Sequence, residues 1–232
     1  MKLEVDNLRS GYGDLIILHG LSLKVESGET VAILGHNGVG KTTLMRTIVG
    51  LLRPVSGEIR AAGHVISGLP PHTIAGMGIA YIPQEAALFA DLSVLENLQV
   101  AFPGPRSAFQ EACDRVVDYF PFLRERYHQR AGTLSGGQQK MLLLARAALP
   151  SPRLILADEV TEGVQPSQIR RMGEVIAQLK GVGETTLVLV EQHLEFALDI
   201  ADRYAIMKQG RIAAEGAIGQ ETRAVVESEL TI

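Results

Sequence analysis

The chain has 232 residues, of which 46% are hydrophobic and 21% charged, with 24 glycines, no tryptophan and one cysteine. That length supports one buried core with space for a subdomain, and the lone Cys113 excludes an internal disulfide framework. A formal net charge of −4 leaves no basic excess for clamping a nucleic-acid backbone.

The first residues, with Glu4 and Asp6 and no apolar run, do not form a signal peptide. Residues 3–29 alternate in the manner of short antiparallel strands. "TVAILG" (30–35) is a nearly continuous apolar run, as expected of a parallel strand buried on both faces. A helical stretch, "KTTLMRTIVGLL", follows it. Residues 61–84 form the longest segment without Lys, Arg, Asp or Glu, but its four glycines and three prolines make it a poor membrane span.

Residues 85–130 differ in character. "SVLENLQVAF" opens with a Ser93/Glu96 capping box and stops before Pro103, and "RSAFQEACDRVVDYFPFLRER" keeps helical spacing. Beyond them, "LILADE" (154–159) and "TTLVLVEQ" (185–192) repeat the buried-strand pattern. The helical runs "SQIRRMGEVIAQLK" and "HLEFALDIADR" come after these two strands, and "RYAIMKQGRIAAEG" (203–216) reads as antiparallel β. The expected fold is α/β with a parallel-sheet core, an N-terminal antiparallel β region and a helical subdomain. Residues 1–84 and 131–232 make up the core, and about 85–130 the helical part. Sixteen residues after Gly216 are too few for another domain.

Two stretches bear chemistry typical of phosphate binding. Gly35-His36-Asn37-Gly38-Val39-Gly40-Lys41-Thr42 matches G-x-x-x-x-G-K-[ST] between a strand and a helix, the context that lifts this motif above chance. Its backbone N–H groups, continued by Thr43, are suited to wrap a phosphate at a helix start. Lys41 is expected on the β- and γ-phosphates and the Thr42 hydroxyl on Mg²⁺. Asp158 is placed at a strand end to hold the same ion, and Glu159 to orient or deprotonate an attacking water. The second stretch is Leu134-Ser135-Gly136-Gly137-Gln138. Ser135 sits at an N-cap and two glycines permit close approach to the helix start. One chain binding one nucleotide has no use for a second anion-binding helix start, which points to the γ-phosphate held by another subunit.

"LSGGQ" with Tyr12 in "SGYG", the loop at 35–43, Gln84 in "YIPQ", "LILADE" and His193 in "VEQH", in this order, resembles the ATP-binding cassette (ABC) ATPases over essentially the whole chain. The resemblance implies a head-to-tail dimer in which each Leu134–Gln138 segment caps the partner's ATP. It also implies that Tyr12 stacks on adenine. Gln84 would touch Mg²⁺ or the water and sense the membrane partner, and His193 would bond the γ-phosphate and align Glu159. The catalytic set so implied is Lys41, Gln84, Glu159 and His193, with Thr42, Gln84 and Asp158 for Mg²⁺. "GLPPHTIAGMGIAYIPQ", "TEGVQPSQI" and "VEQHLEFALDIADRYAIMKQGRI" are similar to the smaller ATPase of branched-chain amino-acid importers, and more so to relatives serving urea and short-amide uptake.

Such a subunit would lie peripherally on the cytoplasmic face of the inner membrane. Its partners would be a second ABC ATPase, identical or distinct, two permease subunits and, indirectly, a solute-binding protein. The competing readings are a soluble cassette acting in repair, cluster assembly or translation, and a non-hydrolysing regulatory cassette. Intact Lys41, Asp158, Glu159 and His193 argue against the last. Three departures stand out: Val160 where the family has proline, Gln165 where an aspartate is common, and "QEAALF" without the usual glycine-arginine pair.

Overall fold

The computed structural model describes residues 1–84, 88–183 and 185–230. Residues 85–87, where the "QEAALF" departure falls, lie outside that set, as do the side chains of 181–183.

Two sheets share the work. The N-terminal strands β1 (Leu3–Tyr12) and β2 (Leu15–Val25) pair antiparallel, and β4 (Ser56–Ala61) and β5 (His64–Val65) complete a four-stranded sheet in the order β2-β1-β4-β5. The larger sheet runs β10-β9-β3-β8-β7-β6. Its members are β3 (Thr30–Leu34), β6 (Ile79–Ile82), β7 (Leu154–Asp158), β8 (Thr186–Glu191), β9 (Arg203–Lys208) and β10 (Arg211–Ala217). Neighbours from β9 through β6 are parallel, and only β10 runs antiparallel, against β9. The hairpin read from residues 203–216 is therefore part of the main sheet, with β9 docked in parallel on β3.

Period-two alternation explains why the central runs are wholly apolar. Val31 and Ile33 of β3, Leu154 and Leu156 of β7, and Val188 and Val190 of β8 face one core. Helix α1 (Lys41–Ile48) and the β1–β2 sheet close that core. Ala32, Leu34, Ile155, Ala157, Leu187 and Leu189 face the other. There they meet α3 (Val94–Ala101), α4 (Arg106–Tyr119), α5 (Gly136–Ala148), α6 (Pro166–Gly183) and α7 (Leu194–Ile200). The helices of 85–130 thus share one continuous apolar core with α5 and the sheet. A helix α2 (Pro71–Gly76) precedes β6, and α8 (Thr222–Leu230) follows β10.

Ser93 and Glu96 form the expected capping box at the start of α3. No described helix is long and apolar enough to cross a membrane.

Candidate nucleotide site

Parallel strands deliver their carboxyl ends to one edge of the sheet, and strand order decides which loops become neighbours there. The order β3-β8-β7-β6 sets four loop starts side by side: the phosphate loop after β3, Gln192 after β8, Glu159 after β7 and Gln84 just beyond β6. The residue after β8 therefore lies between the phosphate loop and Glu159, and Gln84 flanks Glu159 from the other side.

The phosphate loop ends on Gly40, whose φ of 107° is left-handed and whose added Cβ would meet Ile17 at 2.9 Å. Only glycine is at ease there. Helix α1 begins at Lys41, and the side chain of Lys41 turns back into the loop. Its Nζ donates to the carbonyls of Gly35 (2.8 Å) and His36 (3.0 Å) and lies 3.3 Å from Glu159 Oε1. Lys41 and Glu159 are each only 4% exposed. Glu159 itself has φ 47°, a backbone state that costs a non-glycine residue of order 1 kcal/mol and aims its side chain off the strand axis.

Glu159 is gripped by two amides as well as by the ammonium. Gln84 Nε2 donates to Glu159 Oε2 and to Glu162 Oε2, both at 2.9 Å. Gln192 Nε2 donates to Glu159 Oε2 at 2.8 Å and to Asn37 Oδ1 at 2.7 Å. Lys140 of α5 donates to the Gln84 carbonyl at 2.8 Å, and burial pulls its ammonium below the usual lysine range. Helix α5 is thereby tied to the loop that carries Gln84.

Asp158 is fully buried and accepts from the Thr42 hydroxyl and the Tyr81 hydroxyl, each at 3.2 Å. Burial raises its carboxyl above the usual range, and the two hydroxyls oppose that rise. Tyr81 is raised in turn, first by burial and then by Asp158. Thr42 and Asp158 offer hard oxygen donors a few ångströms apart beside the phosphate loop, a donor set that fits Mg²⁺.

A cleft of about 360 Å³ opens above this floor, lined among others by Tyr12, Asn37, Lys41, Thr42, Gln84 and Glu159. Tyr12 is 43% exposed at its mouth, its hydroxyl accepting from Arg46 of α1 at 3.3 Å. The helix start at Leu134–Gln138 lies elsewhere. Ser135 Oγ accepts from the Gln138 N–H (3.4 Å) and Gln138 Oε1 from the Ser135 N–H (3.1 Å). Gly137 packs against Gln168, where a Cβ would come to 3.0 Å, whereas a Cβ on Gly136 would meet nothing within 4 Å.

The model of the family described as ABC transporter matches residues 18–162. The chain belongs to that family. It is an ATP-binding cassette in fold, superposing on a nucleotide-free ATP-binding cassette from an ABC transporter with a TM-score of 0.89 at 28% identity, across 100% of this chain and 99% of that one. A second ABC cassette, in its ADP conformation, gives 0.89 at 27% identity, across 100% and 97%. In sequence the cassette is 42% identical over 211 residues, 90% of each chain, to BraG, a high-affinity branched-chain amino acid transport ATP-binding protein of Pseudomonas aeruginosa. It is 36% identical over 215 residues, 92% of this chain and 91% of the other, to LivF, a probable branched-chain amino acid transport ATP-binding protein of Archaeoglobus fulgidus.

The structure brings Lys41, Thr42, Gln84, Asp158 and Glu159 of the cassette into one cluster, with Tyr12 at its rim. It places His193 differently. The His193 Nδ1 accepts from the Phe196 N–H at 3.2 Å, making the ring the N-cap of α7, and the side chain on Glu159 is that of Gln192. The motif reading gives no role to Lys140, Tyr81 or Glu162, although Tyr81 stands in "YIPQ" and Glu162 in "TEGVQPSQI", because their partners are set by strand order and not by local spacing. Glu191 is a further buried carboxylate: it accepts from the Thr161 N–H at 3.0 Å and hydroxyl at 2.7 Å, and burial raises it above the usual range. Of the departures, Val160 is 1% exposed in the helix-side core, while Gln165 is exposed and its carbonyl caps α6.

Proposed function

We propose that this ABC ATPase is the energy-supplying subunit of an importer for branched-chain amino acids or for urea and short amides, acting on separate permease subunits. The observation that carries the reading is the convergence of Lys41, Thr42, Asp158 and Glu159 on one strand edge, 116 residues apart in the case of Thr42 and Asp158.

ATP enters with its adenine on Tyr12 and its β- and γ-phosphates in the backbone N–H groups of Gly35–Thr43, with Lys41 as counter-charge. Thr42 and Asp158, with Gln84 nearby, would hold Mg²⁺, which when bound neutralises charge building on the phosphate oxygens. Glu159 takes a proton from water as the water oxygen bonds to the γ-phosphorus. The bond from that phosphorus to the β-bridging oxygen breaks, and ADP and inorganic phosphate result.

The second anion reader completes the site in trans. Leu134, Ser135, Gly136, Gly137 and Gln138 of a second cassette, identical or distinct, cover the γ-phosphate with the positive end of α5. Gly136 supports this, because nothing inside its own chain requires a missing Cβ there. Closure of the two cassettes moves α5 and the helices of residues 85–130. A cavity of about 610 Å³ between α2–β6 and α5, lined by Ile79, Pro83, Pro103 and Arg146 among others, offers the permease a seat. The subunit then works at the cytoplasmic face of the inner membrane, with a solute-binding protein feeding the permeases. The names of BraG and LivF support the amino-acid reading, and "TEGVQPSQI" the urea and amide one.

The test is uptake of labelled leucine, urea and a short aliphatic amide by cells carrying the parent chain or Lys41→Ala. Loss of one of the three uptakes with Lys41→Ala identifies the solute. Unchanged uptake of all three in the variant would overturn the importer reading.

A further inference from the structure

We propose that Gln192 is a positioning residue for hydrolysis, joining the phosphate loop to Glu159, a duty the motif reading assigns to His193. The inference deepens the reading of this site as an ATPase and rests on it.

Three donors hold Glu159 in the structure: the Lys41 ammonium, the Gln84 amide and the Gln192 amide. They are not equivalent once a nucleotide arrives. Lys41 cannot serve the phosphates as their cation and remain the close partner of Glu159, since a charge shared between two anions is weakened toward each. As Lys41 turns to the phosphates, the amides become the restraints on the carboxylate. Each is neutral, so each fixes the carboxylate in place by a hydrogen bond without setting a second cation beside it.

Of the two amides, only that of Gln192 also reads the phosphate loop. Its single NH₂ group has two hydrogens, one directed to Asn37 Oδ1 and one to Glu159 Oε2. Asn37 is a middle residue of the loop that wraps the phosphates. A change in loop shape on nucleotide binding is thus delivered through one side chain to the carboxylate that faces the water. Strand order makes the link possible, because β8 lies between β3 and β7. His193 stands one residue further on, beyond the strand, with its ring nitrogen engaged by the first turn of α7. Gln84 instead bridges Glu159 to Glu162 and answers to α5 through Lys140. The two amides therefore report from opposite sides of the site, one from the loop and one from the helical region.

The test compares steady-state MgATP turnover by the full chain, in its assembled complex, for the parent, Gln192→Leu, Gln192→His and His193→Ala, with Glu159→Gln as reference. Gln192→Leu keeps the bulk and removes the donor. We expect its kcat to fall at least tenfold while KM for ATP stays within about threefold, since the lost contact positions the carboxylate rather than binding nucleotide. Gln192→His restores a ring N–H donor at the same position and should recover at least a third of the parental kcat. His193→Ala should retain at least half. Parental kcat in Gln192→Leu, or a collapse in His193→Ala with Gln192→Leu unaffected, overturns the assignment. Parental turnover in Glu159→Gln would instead strike the underlying reading of Glu159, whatever the Gln192 variants do.

Discussion

Lys41 and Glu159 face each other across 3.3 Å at the floor of the cleft, although 118 positions separate them in the sequence numbering. In the function proposed above, the pair stores a cation where phosphate is to bind and a base where water is to be activated, and phosphate arriving beside Lys41 loosens Glu159 from its counter-charge. Removing one member of the pair leaves the other as a buried, uncompensated charge before nucleotide arrives.

Lys41→Ala is expected to act on both levels. ATP affinity should drop at least tenfold, because the phosphates lose a charge-assisted partner. The nucleotide-free protein should lose about 2 kcal/mol at neutral pH, since a buried carboxylate is left without its cation; water in the cleft keeps the loss below that of a dry pair. Isothermal titration with ATP and denaturant unfolding check the two effects separately.

Asp158→Asn should separate stability from activity. Burial raises the Asp158 carboxyl, so the native state binds that proton more readily than the unfolded chain does. Stability is therefore lost as pH rises from the ordinary aspartate value of about 3.9 up through the raised one. Above that window the charged carboxylate is a standing cost. The neutral amide removes it, and the nucleotide-free variant is expected to melt higher than the parent at pH 7.5, the gain vanishing near pH 4. Mg²⁺-dependent turnover should fall at least 10²-fold in the same variant, because the one charged oxygen donor proposed for the ion becomes a neutral amide.

Much of the architecture is legible in the sequence because the strands of the main sheet are buried on both faces. Runs such as "LILAD" have nowhere else to go, and the glycine pattern at 35–40 is demanded by left-handed backbone at Gly38 and Gly40 and by the close approach of Met207 to Gly35. β6 is not legible. Its four residues sit inside a glycine- and proline-rich stretch, and they become a strand only because β7 offers an edge to pair with. α8 is hidden for a related reason: of its nine residues, only Thr222 and Val226 are buried. The contact with Glu159 depends on a single step of the chain. Where β8 ends, Glu191 turns under Thr161, Gln192 reaches Glu159 and His193 starts a helix. Composition around "VEQH" does not reveal which neighbour points inward; strand order and the cap on α7 decide it.

Thr161→Val tests the support beneath that turn. The variant keeps the shape but removes a hydroxyl that donates to Glu191 at 2.7 Å. Burial already holds Glu191 above the usual range, and losing a donor pushes it higher. Above the raised value the loss is fully felt, about 2 kcal/mol for a hydrogen bond to a charged group. Below the ordinary glutamate value of about 4.3 the carboxyl is protonated in both states and most of the difference disappears. Denaturant midpoints at pH 7.5 and pH 4 should show this contrast.

Gly136→Ala tests the proposed trans role of the α5 start. A methyl group at Gly136 meets nothing within 4 Å in its own chain, and alanine favours a helix by up to about 1 kcal/mol over glycine. The variant is therefore expected to be as stable as the parent or slightly more so, to bind ATP equally as an isolated chain, and to hydrolyse it at least fivefold more slowly in the assembled complex. Unchanged turnover would mean that no ligand approaches Gly136.

Glu159→Gln bears most directly on the central claim, that a carboxylate at the end of β7 activates water against a phosphate held by Lys41. The measurement is MgATP turnover beside ATP affinity in the same preparation. Turnover in Glu159→Gln is expected at least 10²-fold below the parent, with affinity within about threefold. Turnover within twofold of the parent contradicts the claim.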